Sequence, residues 1–277
     1  MKKLLYTVTA LAFSVSGLQA QEAAPADESK FRFGLRFTPQ PTWLVSADKN
    51  NTPSGAVLGF GFGLNIEYKF TSTAALLTGI GGDFEGGRYT VKNDPGVYEV
   101  RYWLNESGEL VDPSASAAKG NTGYHLNERK INATFLTIPA ILKMSTKEYN
   151  GLKYSGMFGG EIGVRMKAKA TDTYFSYTTY NDSLPRTFVG DLTEPDVDIN
   201  EEAGRFPLRL GMNAGAGVEY RLGGTTSLFL SINYFRSFTN LMQKKSDFTI
   251  FRSDGGYQFV RQDLKLTGIR INIGIMF

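Results

Sequence analysis

Residues 56–70 read Ala-Val-Leu-Gly-Phe-Gly-Phe-Gly-Leu-Asn-Ile-Glu-Tyr-Lys-Phe. From Leu58 to Phe70 every even position is large and apolar, and from Gly59 to Lys69 every odd position is small or polar. Successive side chains of a β-strand point to opposite faces, so this segment has one apolar wall and one polar wall. The alternation also outlasts the usual strand of about 5–6 residues. A soluble sandwich alternates over shorter stretches. Long two-faced strands suit a barrel whose outside meets lipid and whose inside is wet.

The same pattern predicts eight strands: 31–37 (with an extension toward Trp43), 56–70, 76–89, 131–144, 154–169, 206–222, 228–238 and 269–277. In the sixth, Leu208, Leu210, Met212, Ala214, Ala216, Val218 and Tyr220 oppose Arg209, Asn213, Glu219 and Arg221. Short turns fall at Thr71-Ser72-Thr73, Asn150-Gly151 and Gly223-Gly224, and long polar connections at 39–55, 90–130, 170–205 and 239–262. Such alternation of short and long connections is the habit of outer-membrane barrels, with tight periplasmic turns and long external loops. The expected fold is all-β: an eight-stranded antiparallel transmembrane β-barrel over 31–277.

The first residues resemble an export signal. Lys2 and Lys3 precede a mostly apolar run from Leu4 to Gly17, and Ala20 ends the stretch before Gln21. That run is too short for a membrane anchor. Residues 1–20 are therefore expected to be removed, leaving 21–30 as a periplasmic linker and an outer-membrane destination. No other uninterrupted apolar run exists, so spanning must be by strands. The chain has no cysteine, which excludes disulfides, zinc–thiolate sites and a lipidated N-terminus. Without Lys2 and Lys3, 28 basic residues face 27 acidic ones, a balance that gives no reason to expect a nucleic-acid partner.

Eight strands enclose a tube that side chains can fill. The polar-face residues expected to line it carry both signs: Arg32, Arg36, Glu67, Asp83, Glu85, Glu161, Arg165, Arg209, Glu219, Arg221 and Arg270, with Lys167 and Lys169 following on the fifth strand. Arg or Lys facing lipid at mid-depth costs about 2–4 kcal/mol, which turns the charged face inward. Their mixed sign predicts an ion-paired plug; a selective conduit is the alternative. Pro139 lacks an N–H, so a bulge is expected there.

Motifs elsewhere carry little chemistry. Gly59-Phe60-Gly61-Phe62-Gly63 lies inside a strand with no following helix, so it reads as inward glycines making room for bulky neighbours, not as a nucleotide loop. His125, the sole histidine, falls in a long connection and is expected to be solvated. Asp196-Val197-Asp198-Ile199-Asn200-Glu201 starts like a calcium loop, but Pro207 stands where the bidentate Glu belongs. Tyr98, Tyr102, Trp103, Tyr174, Phe175, Tyr177 and Tyr180 dot the connections, as partner anchors or as loop packing. No catalytic residue, metal or cofactor emerges.

Several segments resemble the PorT-like outer-membrane β-barrel family of Bacteroidota: Phe33-Gly34-Leu35 leading to Trp43-Leu44, Phe135-Leu136-Thr137-Ile138-Pro139-Ala140-Ile141-Leu142-Lys143, Phe158-Gly159-Gly160-Glu161-Ile162-Gly163-Val164, Gly215-Ala216-Gly217-Val218-Glu219-Tyr220 and Gly274-Ile275-Met276-Phe277. The resemblance implies an envelope component without enzymatic activity, structural or assembly-related, with a link to type IX protein secretion. It implies contacts with outer-membrane lipid and other envelope proteins. The terminal Phe277 is similar to the signal read by the barrel-assembly machinery. A small-solute conduit or a surface-binding receptor is the alternative function.

Overall fold

A computed structural model of the chain describes residues 29–47, 51–92, 98–105, 110–111, 120–181, 184–188, 190–200, 203, 207–243, 245–252 and 257–277. The expected export signal 1–20 and most of the linker 21–30 lie outside them. Eight strands make the wall: β1 (Phe31–Ser46), β2 (Val57–Lys69), β3 (Ala74–Val91), β4 (Thr122–Ser145), β5 (Leu152–Asn181), β6 (Leu208–Gly223), β7 (Thr226–Asn240) and β8 (Leu264–Met276). Each pairs antiparallel with its neighbours, and β8 returns to β1 through Leu35 opposite Ile275 and Trp43 opposite Thr267. The seam is completed where Phe277 N donates to Phe33 O at 2.8 Å and Phe33 N donates to Phe277 O at 3.0 Å. A closed ring leaves no unpaired edge, the condition for crossing lipid with strands.

Three connections are tight. In the β4–β5 turn, Asn150 (φ 50°) and Gly151 (φ 78°) take the left-handed conformation that a two-residue hairpin turn demands, which is why Asn-Gly stands there. The expected apolar wall points outward: Phe33, Phe62, Ile138, Ile162, Leu210, Leu230 and Ile273 are all exposed on the barrel surface. The polar wall points in.

The strands outrun the expected bounds most at the end bearing the long connections, and by no more than two residues at the tight turns. β1 continues to Ser46, β4 begins at Thr122, β5 continues to Asn181 and β8 begins at Leu264. Beyond the lipid zone the outer face need not be apolar, so alternation fades while the hydrogen-bond ladder continues. Nor are the long connections mere loops. Tyr98–Leu104 pairs with β4 and with Lys245–Arg252, which pairs with Tyr257–Arg261. Asn51–Gly55 pairs with β3, and Leu192–Asp198 with β5.

Two local expectations are corrected. Pro139 marks no bulge: it sits in register opposite Glu161, and on its other side the β3–β4 ladder skips from Thr78–Ala140 to Gly81–Thr137 without a shift. A missing N–H interrupts pairing there rather than displacing it. The β4–β5 ladder shifts register three times, and the shift nearest Pro139 lies at Met166, where Thr134 pairs with Lys167 but Phe135 pairs with Arg165. One extra residue inverts the facing of everything above it. Lys167 is therefore exposed, and Lys169 reaches Asp196 at 3.4 Å on the outer side; neither lines the bore.

Candidate functional site: a two-tier plug in the bore

The lower tier lies near the tight turns. Arg32 Nη1 stands 2.6 Å from Glu219 Oε1 and 3.5 Å from Glu67 Oε1. From β4, Lys143 Nζ donates to Glu67 Oε2 at 2.6 Å and to Glu219 Oε2 at 2.8 Å. Two cations and two carboxylates thus alternate in a ring, and Ser227 Oγ adds a hydrogen bond to Glu219 Oε1 at 2.6 Å.

Above the ring is a polar cavity of about 40 Å³, lined in part by Arg36, Asn65, Asn213, Asn233 and Asn272. Ordered water needs about 10–15 Å³ of such space, so the cavity has room for a few molecules. Arg36 Nε, Asn65 Oδ1 and Asn233 Oδ1 are buried around it without a protein partner, which makes water the natural third party. Arg36 fits only because its neighbours are glycines: a Cβ at Gly81 would lie 2.6 Å from its Nη2, and one at Gly63 would lie 3.1 Å from its Nε.

A second ionic cluster closes the cavity from above. Glu161 accepts from Arg209 Nη2 at 2.5 Å, from Asn213 Nδ2 at 2.7 Å and from both terminal nitrogens of Arg270. Glu85 accepts from Arg209 and Arg270, and Thr137 Oγ1 donates to Asp83 Oδ2 at 2.6 Å. The upper faces of the two guanidiniums meet aromatic rings. Arg209 lies 4.2 Å from the centroid of Phe135, and Arg270 lies 3.9 Å from that of Phe235.

Those two rings are the floor of an apolar upper tier. Leu44, Leu126, Ile131, Tyr174, Phe235, Leu264 and Leu266 are essentially inaccessible to solvent and belong to one hydrophobic cluster inside the wall. The ion pair enclosed there is bidentate: Arg129 Nε and Nη2 donate to the two Asp172 oxygens, each at 2.6 Å. Among the described residues the bore carries six cations (Arg32, Arg36, Arg129, Lys143, Arg209, Arg270) against six anions (Glu67, Asp83, Glu85, Glu161, Asp172, Glu219). Half-buried Arg165, opposite Phe135 on the inward face, adds one more cation, so the two signs are nearly balanced.

The structure thus brings Arg32, Arg36, Glu67, Asp83, Glu85, Glu161, Arg209, Glu219 and Arg270 into the bore. It does not bring Arg221, which sits exposed at the turn end and pairs with Glu148 at 2.6 Å. Arg165 is half-buried at the bulge, and its Nη1 donates to the Ala203 and Leu241 carbonyls at 2.7 and 3.3 Å. His125 is not solvated: it is fully buried on β4, its Nδ1 3.2 Å from Ser176 Oγ and its ring edge-on to Phe175. The Asp172 carboxylate, four residues along β5 from the Ser176 that faces His125, is held by Arg129. Tyr102, Trp103 and Tyr174 are buried, and Tyr102 stacks on Tyr124 at 5.4 Å, so these aromatics pack the cap. Tyr98 and Tyr180 have side chains outside the described set. Among the described residues no cluster of three or more acidic or histidine side chains is placed to hold a metal. Lys143, Arg129 and Asp172 escaped the sequence reading. Lys143 was visible as the polar residue between outward Leu142 and Met144, whereas the other two lie beyond the alternating stretch.

A closed antiparallel ring with apolar exterior and ionic interior defines an integral β-barrel of the outer-membrane type. Residues 19–243 match the outer membrane protein beta-barrel domain family, and the chain belongs to it. No match emerges among curated protein sequences. Among solved structures, the chain is similar to Neisserial surface protein A (12% identity, TM-score 0.35, covering 90% of this chain and 98% of that one). It is also similar to the outer membrane protease OmpT of Escherichia coli (9%, TM-score 0.37, 93% and 99%) and to OprG of Pseudomonas aeruginosa (10%, TM-score 0.35, 89% and 94%).

Proposed function

We propose that this barrel is a non-enzymatic structural or assembly component of the envelope, closed to solutes, which works through its surfaces rather than its bore. The observation carrying this reading is the two-tier plug: a solute would have to pass an ionic cluster and then a dry apolar core. Moving an ion into such a core costs several kcal/mol even after relaxation. The PorT-like segments favour a place beside the type IX secretion machinery, with Phe277 as the signal read by the barrel-assembly machinery. The expected result in planar bilayers is no ion conductance. Crosslinking in intact cells should recover envelope or secretion proteins with the barrel. Steady single-channel conductance would overturn the closed-bore reading, and consistent isolation as a lone species would overturn the scaffold.

A further inference from the structure

The outer wall of β3–β5 carries charges that the plug does not use. Arg88 and Lys130 are directly opposite each other in the β3–β4 ladder, on the same outward face as Phe84 and Leu136. Like charges placed opposite each other on a sheet repel. Neither meets a carboxylate within ion-pair distance among the described residues, and Arg88 Nε is shielded from water without a hydrogen-bond partner. Glu128 is the next outward residue of β4, opposite Thr90 rather than Arg88. Across β4 the inverted facing above Met166 adds Lys167, also without an ion-pair partner, and Lys169, which Asp196 reaches at 3.4 Å. Asp198, in register with Lys169, is the other acid beside it.

Position gives the patch its meaning. Phe84, Leu136 and Met166 end the continuous outward apolar runs of their strands, and the cations follow within one to three outward positions, below Phe175 and Tyr177 on β5. Two residues of strand advance about 7 Å, so these cations stand at the headgroup level above the hydrocarbon. A groove of about 400 Å³ runs across this wall, with Leu58, Phe60 and Phe84 on β2–β3 and Lys167, Lys169 and Asp196 across β4; Arg88 and Lys130 lie beyond it, toward the long connections. Acyl chain below and phosphate above is the chemistry that fits. By the architecture of such barrels, the end with long connections faces outward from the cell.

We infer that the β3–β5 wall binds a phosphate-bearing lipid of the outer leaflet, its phosphate between Arg88 and Lys130, with Lys167 four residues nearer the hydrocarbon in the row of Phe84 and Thr134, and its acyl chain along Leu58 and Phe60. This holds whether or not the scaffold reading does. The inverted facing places Lys167 and Lys169 there; without the bulge they would point into the bore.

The test uses the full barrel refolded in detergent micelles with equal amounts of diphosphoryl lipid A and its dephosphorylated form, bound lipid being read by native mass spectrometry. The wild type should prefer the phosphorylated lipid. A basic residue near an anionic surface contributes roughly 1 kcal/mol, so the double variant Arg88→Gln/Lys130→Gln should lose about tenfold or more of that preference. Lys153→Gln, at the opposite end, should leave it unchanged. Gel mobility of unheated samples checks that every variant is folded. Equal binding of the two lipids by the wild type would overturn the inference, as would the same loss in Lys153→Gln. Displacement of the lipid by millimolar inorganic phosphate would reveal a free-anion site and would overturn it too.

Discussion

Replacing Glu161 by Gln tests whether the bore is dry enough for its charges to matter. Gln keeps the size and one carbonyl acceptor but removes the charge that Arg209 and Arg270 share. Both guanidiniums are then left with Glu85 alone, in a site where Glu161 and Glu85 are almost completely inaccessible. Breaking a buried pair from one side costs about 3–5 kcal/mol, and the retained acceptor and Glu85 place this case at the lower end, about 3 kcal/mol. That is roughly a hundredfold in the folding equilibrium. The assay is reversible urea unfolding from phosphatidylcholine vesicles, followed by the fluorescence of Trp43 and Trp103. Arg270→Met in the same background restores neutrality, so the double variant should lose at least about 1 kcal/mol less than the sum of the singles. A loss in Glu161→Gln below about 0.5 kcal/mol, or additivity within about 0.3–0.5 kcal/mol, would mean that the cluster is solvated and the plug loose.

The lower ring should respond in the same way. Lys143→Met leaves Glu67 and Glu219 facing Arg32 alone, and a loss of about 3 kcal/mol in the same unfolding assay is expected. Gly81→Ala drives a methyl to 2.6 Å from Arg36 Nη2 and should cost about 1–3 kcal/mol, relieved when Arg36→Met is added. Outside the membrane, burial first and the Asp172 carboxylate second push the Glu194 carboxyl above its ordinary value of 4.5. Its folded form resists ionising, so its contribution is fully present below the ordinary pKa and is lost as pH rises through the raised one. Protection of the cap against hydrogen exchange should therefore fall over that interval in the wild type and stay flat in Glu194→Gln.

The wall was legible because lipid imposes a strict rule: outward residues must be apolar and inward ones have no such duty. Leu58 through Phe70 obey it without exception, and so do Leu208 through Tyr220 apart from small residues. Ion pairing within the bore was legible as a mixture of signs but not as partners, since Arg32 and Glu219 are joined by curvature rather than by sequence distance. Two features defeated alternation. The Met166 bulge inverts facing by one residue, and no sequence rule marks it, because Pro139 drew the expectation to the wrong place. Above the lipid the exterior becomes polar while the interior becomes apolar, so Leu126, Ile131 and Leu266 have lost the contrast that made the lower strands readable. The same loss hid Arg129 and Asp172, and it made a buried His125 look like a loop residue.

The two tiers also differ in what they seal, and this yields an asymmetric expectation. The ionic cluster of Glu85, Glu161, Arg209 and Arg270 already borders a cavity with room for water, so a gap there only enlarges that chamber. Phe135 and Phe235 have dry contacts on one side and guanidiniums on the other, and above them Leu44, Leu126 and Leu264 share the interior with an Arg129–Asp172 pair whose charges already satisfy each other. A neutral quadruple replacement of the ionic cluster by Ala, if folded, should therefore stay closed in planar bilayers. Adding Phe135→Ala and Phe235→Ala removes the two large buried rings that lie over the guanidiniums, so conductance should appear in the sixfold variant alone. Current through the ionic-cluster variant by itself would show that salt bridges, not the apolar tier, hold the barrel shut. The surface-working role would then lose its main physical support, since a bore gated by charges alone is one that a change of pH or ligand opens.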